Sequence, residues 1–131
     1  MSAGCKVSAL DVSREKLEEL KEFINSSPSG FPSTASISYY LADISSEPEM
    51  VRAFEQMVEK DVPVQCCVAL ASLDLSVLDH HANIIDIPLA QFKRTIDVNL
   101  TGTFLTAQLW QKHLAEADFK RLGNKTLIVC N

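Results

Sequence analysis

The chain has 131 residues, 47% of them hydrophobic and 22% charged, the balance of one folded domain rather than a disordered or fibrous chain. Lys and Arg total 12 against 17 for Asp and Glu, a net charge of -5, which argues against non-specific binding to nucleic acid or to an anionic membrane. No apolar run approaches the roughly 18 to 20 residues of a spanning helix, and residues 1–6 lack the charged-then-apolar pattern of a signal peptide, so a cytoplasmic location is expected.

Residues 5–10 form a short apolar run stopped by Asp11, and Leu17, Leu20 and Ile24 then recur at near-helical spacing among Glu and Lys. This pattern predicts strand, turn and helix. Residues 25–36 are rich in Ser and Pro, with one Gly, and predict a loop. Residues 37–41 are β-rich and carry Tyr39 and Tyr40. After Asp43, Ser46, Glu47, Pro48 and Glu49 have the Ser-x-x-Glu spacing of a capping box with Pro in the first turn, so a second helix starts there. Its apolar face is Met50, Val51, Phe54, Met57 and Val58.

Residues 64–70 are nearly all apolar, as expected of a parallel strand covered on both faces. Residues 73–87 then read as a long irregular connection carrying His80 and His81. A long helix is predicted from Pro88 to about residue 117, with Leu89, Phe92, Ile96, Leu100, Phe104 and Ala107 as its stripe. Gly123 and Asn124 mark a turn, and residues 126–130 a fourth strand.

Cys5, Cys66, Cys67 and Cys130 lie in apolar runs without the spacing of a zinc site or a disulfide framework, and they read as free, buried thiols. On a strand, Cys66 and Cys67 point to opposite faces, which argues against a vicinal pair. No metal is expected: His80 and His81 share no recognisable spacing with further ligands. Trp110 is expected to pack the long helix or a subunit interface.

Strands that alternate with helices indicate an α/β sheet built from right-handed crossovers. Ligands on such sheets bind beyond the carboxyl ends of the strands, which here are Asp11, Asp43, residues 69–72 and Asn131.

On these residues the chain resembles the classical short-chain dehydrogenases/reductases. Residues 4–11, opening on Gly4 and closing on Asp11, resemble the second strand of that family. Ala42, Asp43, Ile44 and Ser45 are similar to the Asp-Val pair after its third strand. Residues 97–104, with Asn99 and Gly102, resemble its long helix and are the most specific match. The fold this implies is a partial Rossmann-type three-layer α/β sandwich whose parallel sheet lacks the first, central strand. Residues 1–131 would then form part of an NAD(P)-binding domain.

The resemblance assigns cofactor contacts to Asp11, Asp43, Ile44, Ala69, Leu70 and Ala71, and a catalytic role to Asn99. Asp11 would accept hydrogen bonds from the adenosine ribose and repel a 2′-phosphate, favouring NAD over NADP, although Arg14 nearby could offset that charge. Its other reading is a turn or cap aspartate. Asp43 would face the adenine amine and Ile44 the base, or Asp43 is a turn residue before a helix. Asn99 would hold a water in a proton relay, or is a satisfied polar group in an apolar helix. Gly102 costs roughly 1 kcal/mol against Ala in a helix, which close packing would justify.

Where the family has Asn-Asn-Ala-Gly after its fourth strand, this chain has Ala69, Leu70, Ala71 and Ser72, so the side-chain hydrogen bond of the first Asn is lost. The family's Gly-rich turn, its catalytic Ser and its Tyr-x-x-x-Lys pair have no counterpart in the 131 residues. Tyr39 and Tyr40 have no Lys four positions on. A chain clipped at both ends is expected, its strands forming either two separate pairs or a rearranged sheet. The activity implied is hydride transfer between NAD(H) and a small carbonyl or alcohol substrate, in a homo-oligomer. The alternative is a non-catalytic relative that serves as a subunit-interaction module.

Overall fold

The computed structural model describes residues 6–26, 36–59, 64–73, 83–116 and 126–129. In chain order these form β1 (Lys6–Asp11), α1 (Arg14–Ser26), β2 (Ser36–Leu41), α2 (Glu47–Glu59), β3 (Cys66–Ala69), α3 (Leu89–Ile96), a π-helical turn (Asp97–Gly102), α4 (Thr103–Glu116) and β4 (Thr126–Val129). The alternation expected from the periodicity is present.

The strands pair in parallel as two separate two-stranded sheets, β1 with β2 and β3 with β4. Leu10 lies opposite Tyr40, and Cys67 opposite Leu127. Of the two arrangements open to the sequence, the chain takes the one with two pairs. No backbone hydrogen bond joins β1 to β3 among the described residues.

One apolar core holds the two pairs together. Tyr40 and Ala42 at the end of β2 meet Met50, Ala53, Phe54 and Met57 of α2, and Leu105, Trp110 and Leu114 of α4. Leu10 of β1 and Cys67 of β3 pack against the same cluster from above. The helix α2 shows its predicted face through Met50, Phe54 and Met57, while Val58 is left exposed and Ala53 takes its place. Trp110 anchors α4 to the base of β3 through a hydrogen bond from its Nε1 to the Val64 carbonyl at 2.6 Å. The helix α1 packs on β1 and β2, and its Leu17 is buried outside this cluster, on the opposite face.

Four expectations need correction. The strand β3 is not covered on both faces: Cys66 and Val68 are exposed, and only Cys67 and Ala69 turn inward, so Cys66 is not a buried thiol. Burial pushes the Cys67 thiol up from its usual pKa. The stripe of the long helix faces outward, with Leu89, Phe92, Leu100 and Phe104 all more than half exposed. Finally, α2 starts where the capping box placed it, but Glu49 reaches past Ser46 to accept the Asp43 N–H at 2.9 Å. Cys5, Cys130, Asn131, His80 and His81 lie outside the described residues.

His113 of α4 is buried beside the Phe54 ring, centroids 6.4 Å apart, and its Nε2 has no hydrogen-bond partner among the described residues. Burial lowers its pKa, an effect that Glu116 only partly offsets. The unfolded chain therefore takes up a proton near pH 6.5 that the folded chain refuses. Stability is then lost as the pH falls below about 6.5 and on through the lower folded value. Urea unfolding should show His113→Leu becoming progressively more stable, relative to the parent chain, from pH 7 to pH 5. A constant difference across that range would refute this.

Candidate active site

The long helix crosses the carboxyl ends of the strands and ties them to one another. At the end of β1, Asp11 closes a turn: its Oδ1 accepts the Ser13 N–H at 2.7 Å. Ser13 Oγ in turn accepts the Lys16 N–H at 3.3 Å, as the N-cap of α1. The turn role is therefore real for Asp11, yet its second carboxylate oxygen has no partner among the described residues. The Ala42 N–H donates to the Asp11 carbonyl at 3.0 Å, which sets the exits of β1 and β2 side by side.

Asp43, just beyond β2, is more heavily engaged. Its Oδ1 accepts the Ser45 N–H at 2.9 Å and the Ser45 hydroxyl at 2.6 Å. Its Oδ2 accepts Arg94 Nη2 at 2.8 Å, while Arg94 Nη1 donates to Ser45 Oγ at 2.6 Å. Burial pushes the Asp43 carboxyl up, but the Ser45 hydrogen bonds and the Arg94 guanidinium outweigh it and hold the group below the usual carboxylate range. Sequence reasoning missed Arg94, because a partner 51 residues away leaves no local pattern.

Asn99 lies inside the π-helical turn, a distortion that is rare and concentrated at functional sites. Its Oδ1 accepts the Leu73 N–H at 2.7 Å and its Nδ2 donates to the Leu73 carbonyl at 2.9 Å, so the amide clamps the segment after β3. The Asn99 carbonyl accepts the Thr103 hydroxyl at 2.8 Å. Gly102 is buried against Ile44: a Cβ there would stand 2.7 Å from Ile44 Cγ1 and 3.2 Å from its backbone carbon. The close packing expected of Gly102 is present, and Ile44 is accordingly buried under the helix.

Ala69, Leu70 and Ala71 follow the exit of β3 and line a cleft shared with Leu10 and Ile44. Asp11 and Asp43 stand outside its lining. The structure thus gathers Asp11, Asp43, Ile44 and Asn99 around the strand exits, with Asn99 reaching the β3 side through Leu73. Among the described residues no group of three potential metal ligands occurs, and no helix is long and apolar enough to cross a membrane.

Parallel strands joined by helices, with segments gathered beyond the carboxyl ends of the strands, are the architecture of a partial Rossmann-like α/β protein. The family model for short chain dehydrogenase matches residues 1–122, and the chain belongs to that family. A 3-ketoacyl-ACP reductase from Sinorhizobium meliloti superposes with a TM-score of 0.70 at 29% identity, over 95% of this chain and 43% of that one. NAD+-bound xylitol dehydrogenase gives 0.74 at 17% identity, over 95% and 42%. A 3-oxoacyl-[acyl-carrier protein] reductase with bound NAD from Brucella melitensis gives 0.65 at 20%, over 86% and 40%. The chain therefore spans less than half the length of these solved structures. No curated protein sequence matches it significantly. Nothing in these comparisons supports the non-catalytic alternative.

Because the folded pKa of Asp43 lies below its unfolded value of about 3.9, the group adds stability above pH 4 that is lost as the pH falls through the lower folded value. Arg94→Met should raise the Asp43 pKa toward the ordinary range, read by carboxyl carbon NMR, and should cost under about 1 kcal/mol at pH 7 because the pair is partly exposed. An unchanged Asp43 titration would show that Ser45 alone holds the carboxylate.

Proposed function

We propose that this chain supplies the adenosine-binding side of an NAD-dependent oxidoreductase that interconverts a small carbonyl compound and a secondary alcohol. Family membership supports the reaction class, and two of the three solved relatives above have NAD bound, as their names state. The observation that carries the reading within this chain is the second carboxylate oxygen of Asp11, which has no hydrogen-bond partner among the described residues and stands at the exit of a parallel strand near Asp43. That oxygen can accept ribose hydroxyls, and its charge repels a 2′-phosphate, which favours NAD over NADP. Arg14 opens α1 with its side chain exposed and supplies a counter-charge nearby, so the preference is moderate.

The residues of this chain fit such a cofactor at Asp11, where an acceptor is open. They fit less freely at Asp43, whose two oxygens already serve Ser45 and Arg94. Ile44 acts by packing the turn that carries Asp43, and Ala69 to Ala71 offer backbone rather than side-chain groups. When bound, the nicotinamide supplies or accepts the hydride: a carbonyl gains hydride and a proton to become an alcohol, and the reverse step returns both. Asn99 is a positioning residue in this reading, holding the segment after β3 through Leu73. A cytoplasmic setting belongs to the same proposal.

Titration of the chain with 5′-AMP, followed by backbone NMR, should shift the amides of Asp11 and Ala42 to Ser45 at millimolar concentrations. The 2′-phosphorylated analogue 2′,5′-ADP should bind at least fivefold more weakly, and Asp11→Ser should narrow that gap. Tighter binding of 2′,5′-ADP to the parent chain would overturn the Asp11 argument.

We also infer a homo-oligomer, because Leu89, Phe92, Leu100 and Phe104 form an exposed apolar face along the long helix, continued by Ile84 and Ile85, each more than 80% exposed. A contiguous face of that kind on a helix marks an association surface. Sedimentation should show a self-associating chain that Leu100→Lys combined with Phe104→Glu converts to a monomer of unchanged helix content. A monomeric parent at 100 micromolar would dismiss this inference.

A further inference from the structure

Asp11 and Asp43 close the same kind of turn, and the contrast between them isolates what Arg94 adds. At Asp11 one hydrogen bond, from the Ser13 N–H to Oδ1, closes the turn, and no cation bonds the carboxylate among the described residues. At Asp43 the corresponding bond comes from the Ser45 N–H to Oδ1. It is joined there by the Ser45 hydroxyl on the same oxygen and by Arg94 on the other. Closing such a turn does not require an arginine.

What the arginine does is orient. The last torsion of an aspartate side chain joins an sp³ to an sp² carbon and has a broad minimum, so bonds to one oxygen leave the direction of the other loosely defined. Arg94 Nη2 donates to Oδ2 at 2.8 Å, while Nη1 donates at 2.6 Å to Ser45 Oγ, whose own proton goes to Oδ1. The planar fork thus spans both acceptors and closes a ring of hydrogen bonds around the carboxylate. A carboxylate offers about four acceptor positions. Ser45 takes both on Oδ1 and Arg94 one on Oδ2, so one position on Oδ2 is left among the described residues. The Asp43 side chain is 22% exposed and is not sealed from solvent. Its partners hold the carboxyl below the usual carboxylate range, so the remaining position accepts and does not donate.

We propose that Arg94 is a positioning residue that determines base selectivity: it aims Asp43 Oδ2 so that the one remaining acceptor position takes the exocyclic amine of a bound purine and disfavours a purine with a carbonyl in that place. The inference rests on the nucleotide reading above, with Asp43 at the adenine end. A carbonyl oxygen there would meet a carboxylate oxygen with no proton between them, which weakens binding. Without the arginine the carboxylate turns, and water bridges its freed positions to either base. Lysine would keep the charge, but as a point charge on a flexible stem it does not fix Ser45 and Asp43 in one plane.

The probes are 5′-AMP and 5′-IMP, which differ by an amine against a carbonyl at one ring carbon, titrated into the 131-residue chain and followed by backbone NMR. The parent should bind 5′-AMP about tenfold more tightly, the order expected of one charge-assisted hydrogen bond. Arg94→Met and Arg94→Lys should each bring that ratio below about threefold, with the Asp43 carboxyl still titrating low in Arg94→Lys. The ratio does not respond to a general loss of affinity or stability, so a merely structural role for Arg94 would leave it unchanged. A ratio that survives in Arg94→Lys would assign the effect to charge alone, and one that survives in both variants would remove Arg94 from base selection. Either result overturns the proposal. So does a parent that binds both nucleotides equally while the Asp11 and Ala42 amides shift, a result that leaves the Asp11 reading standing. A parent that binds neither nucleotide overturns the nucleotide reading, and the proposal falls with it.

Discussion

The missing side chain of Gly102 is the constraint on which the strand-exit region depends. With no Cβ, the helix can approach the turn after β2 closely enough for Ile44 to fill the space a methyl group would take. That approach puts Arg94 within reach of Asp43 and Ser45, and Asn99 within reach of Leu73. One helix thereby fastens the segments that follow two strands belonging to different sheets. The π-helical turn itself carries Val98, Asn99 and Gly102: Val98 and Gly102 are buried, while Asn99 meets the Leu73 backbone.

The clamp also explains how two half-sheets keep their places. The sheets share no hydrogen bond among the described residues, and their mutual position is set by α2 and α4, which pack on each other beneath both. Such a core resists sliding because its side chains interlock at near-crystalline density. It does not satisfy the backbone of the facing strand edges, for which side chains are no substitute. Among the described residues, β1 and β3 are each paired along one edge only, above an apolar floor from α2.

Electrostatics at the strand exits divide the labour between two aspartates of similar position. Asp43 is bound on both oxygens, within a network that spans two elements. Asp11 spends one oxygen on its own turn, and the other has no hydrogen-bond partner among the described residues. The same residue type at the end of neighbouring strands is thus engaged on both oxygens in one case and on one in the other. The difference comes from a cation on a helix distant in sequence.

Much of this architecture was legible in the chain itself. The period of apolar residues marked every described strand and helix, because burial on one face imposes that period whatever the partner. Asp11, Asp43, Asn99 and Gly102 stood out because each is a poor choice for its place unless it bonds or packs with something specific. What the sequence could not convey is which faces find partners. Leu89, Phe92, Leu100 and Phe104 make an apolar stripe that a sequence pattern assigns to a core, yet the core takes Val98, Leu105, Trp110 and Leu114 instead. Both sets lie along the same helical stretch, and periodicity alone does not say which of them meets the sheets. Arg94 against Asp43, Glu49 against the Asp43 N–H and the open face of β3 were likewise decided by tertiary structure. Local sequence sets which conformations are affordable along a segment, whereas contacts between segments far apart depend on how the helices and the two sheets come to rest on one another.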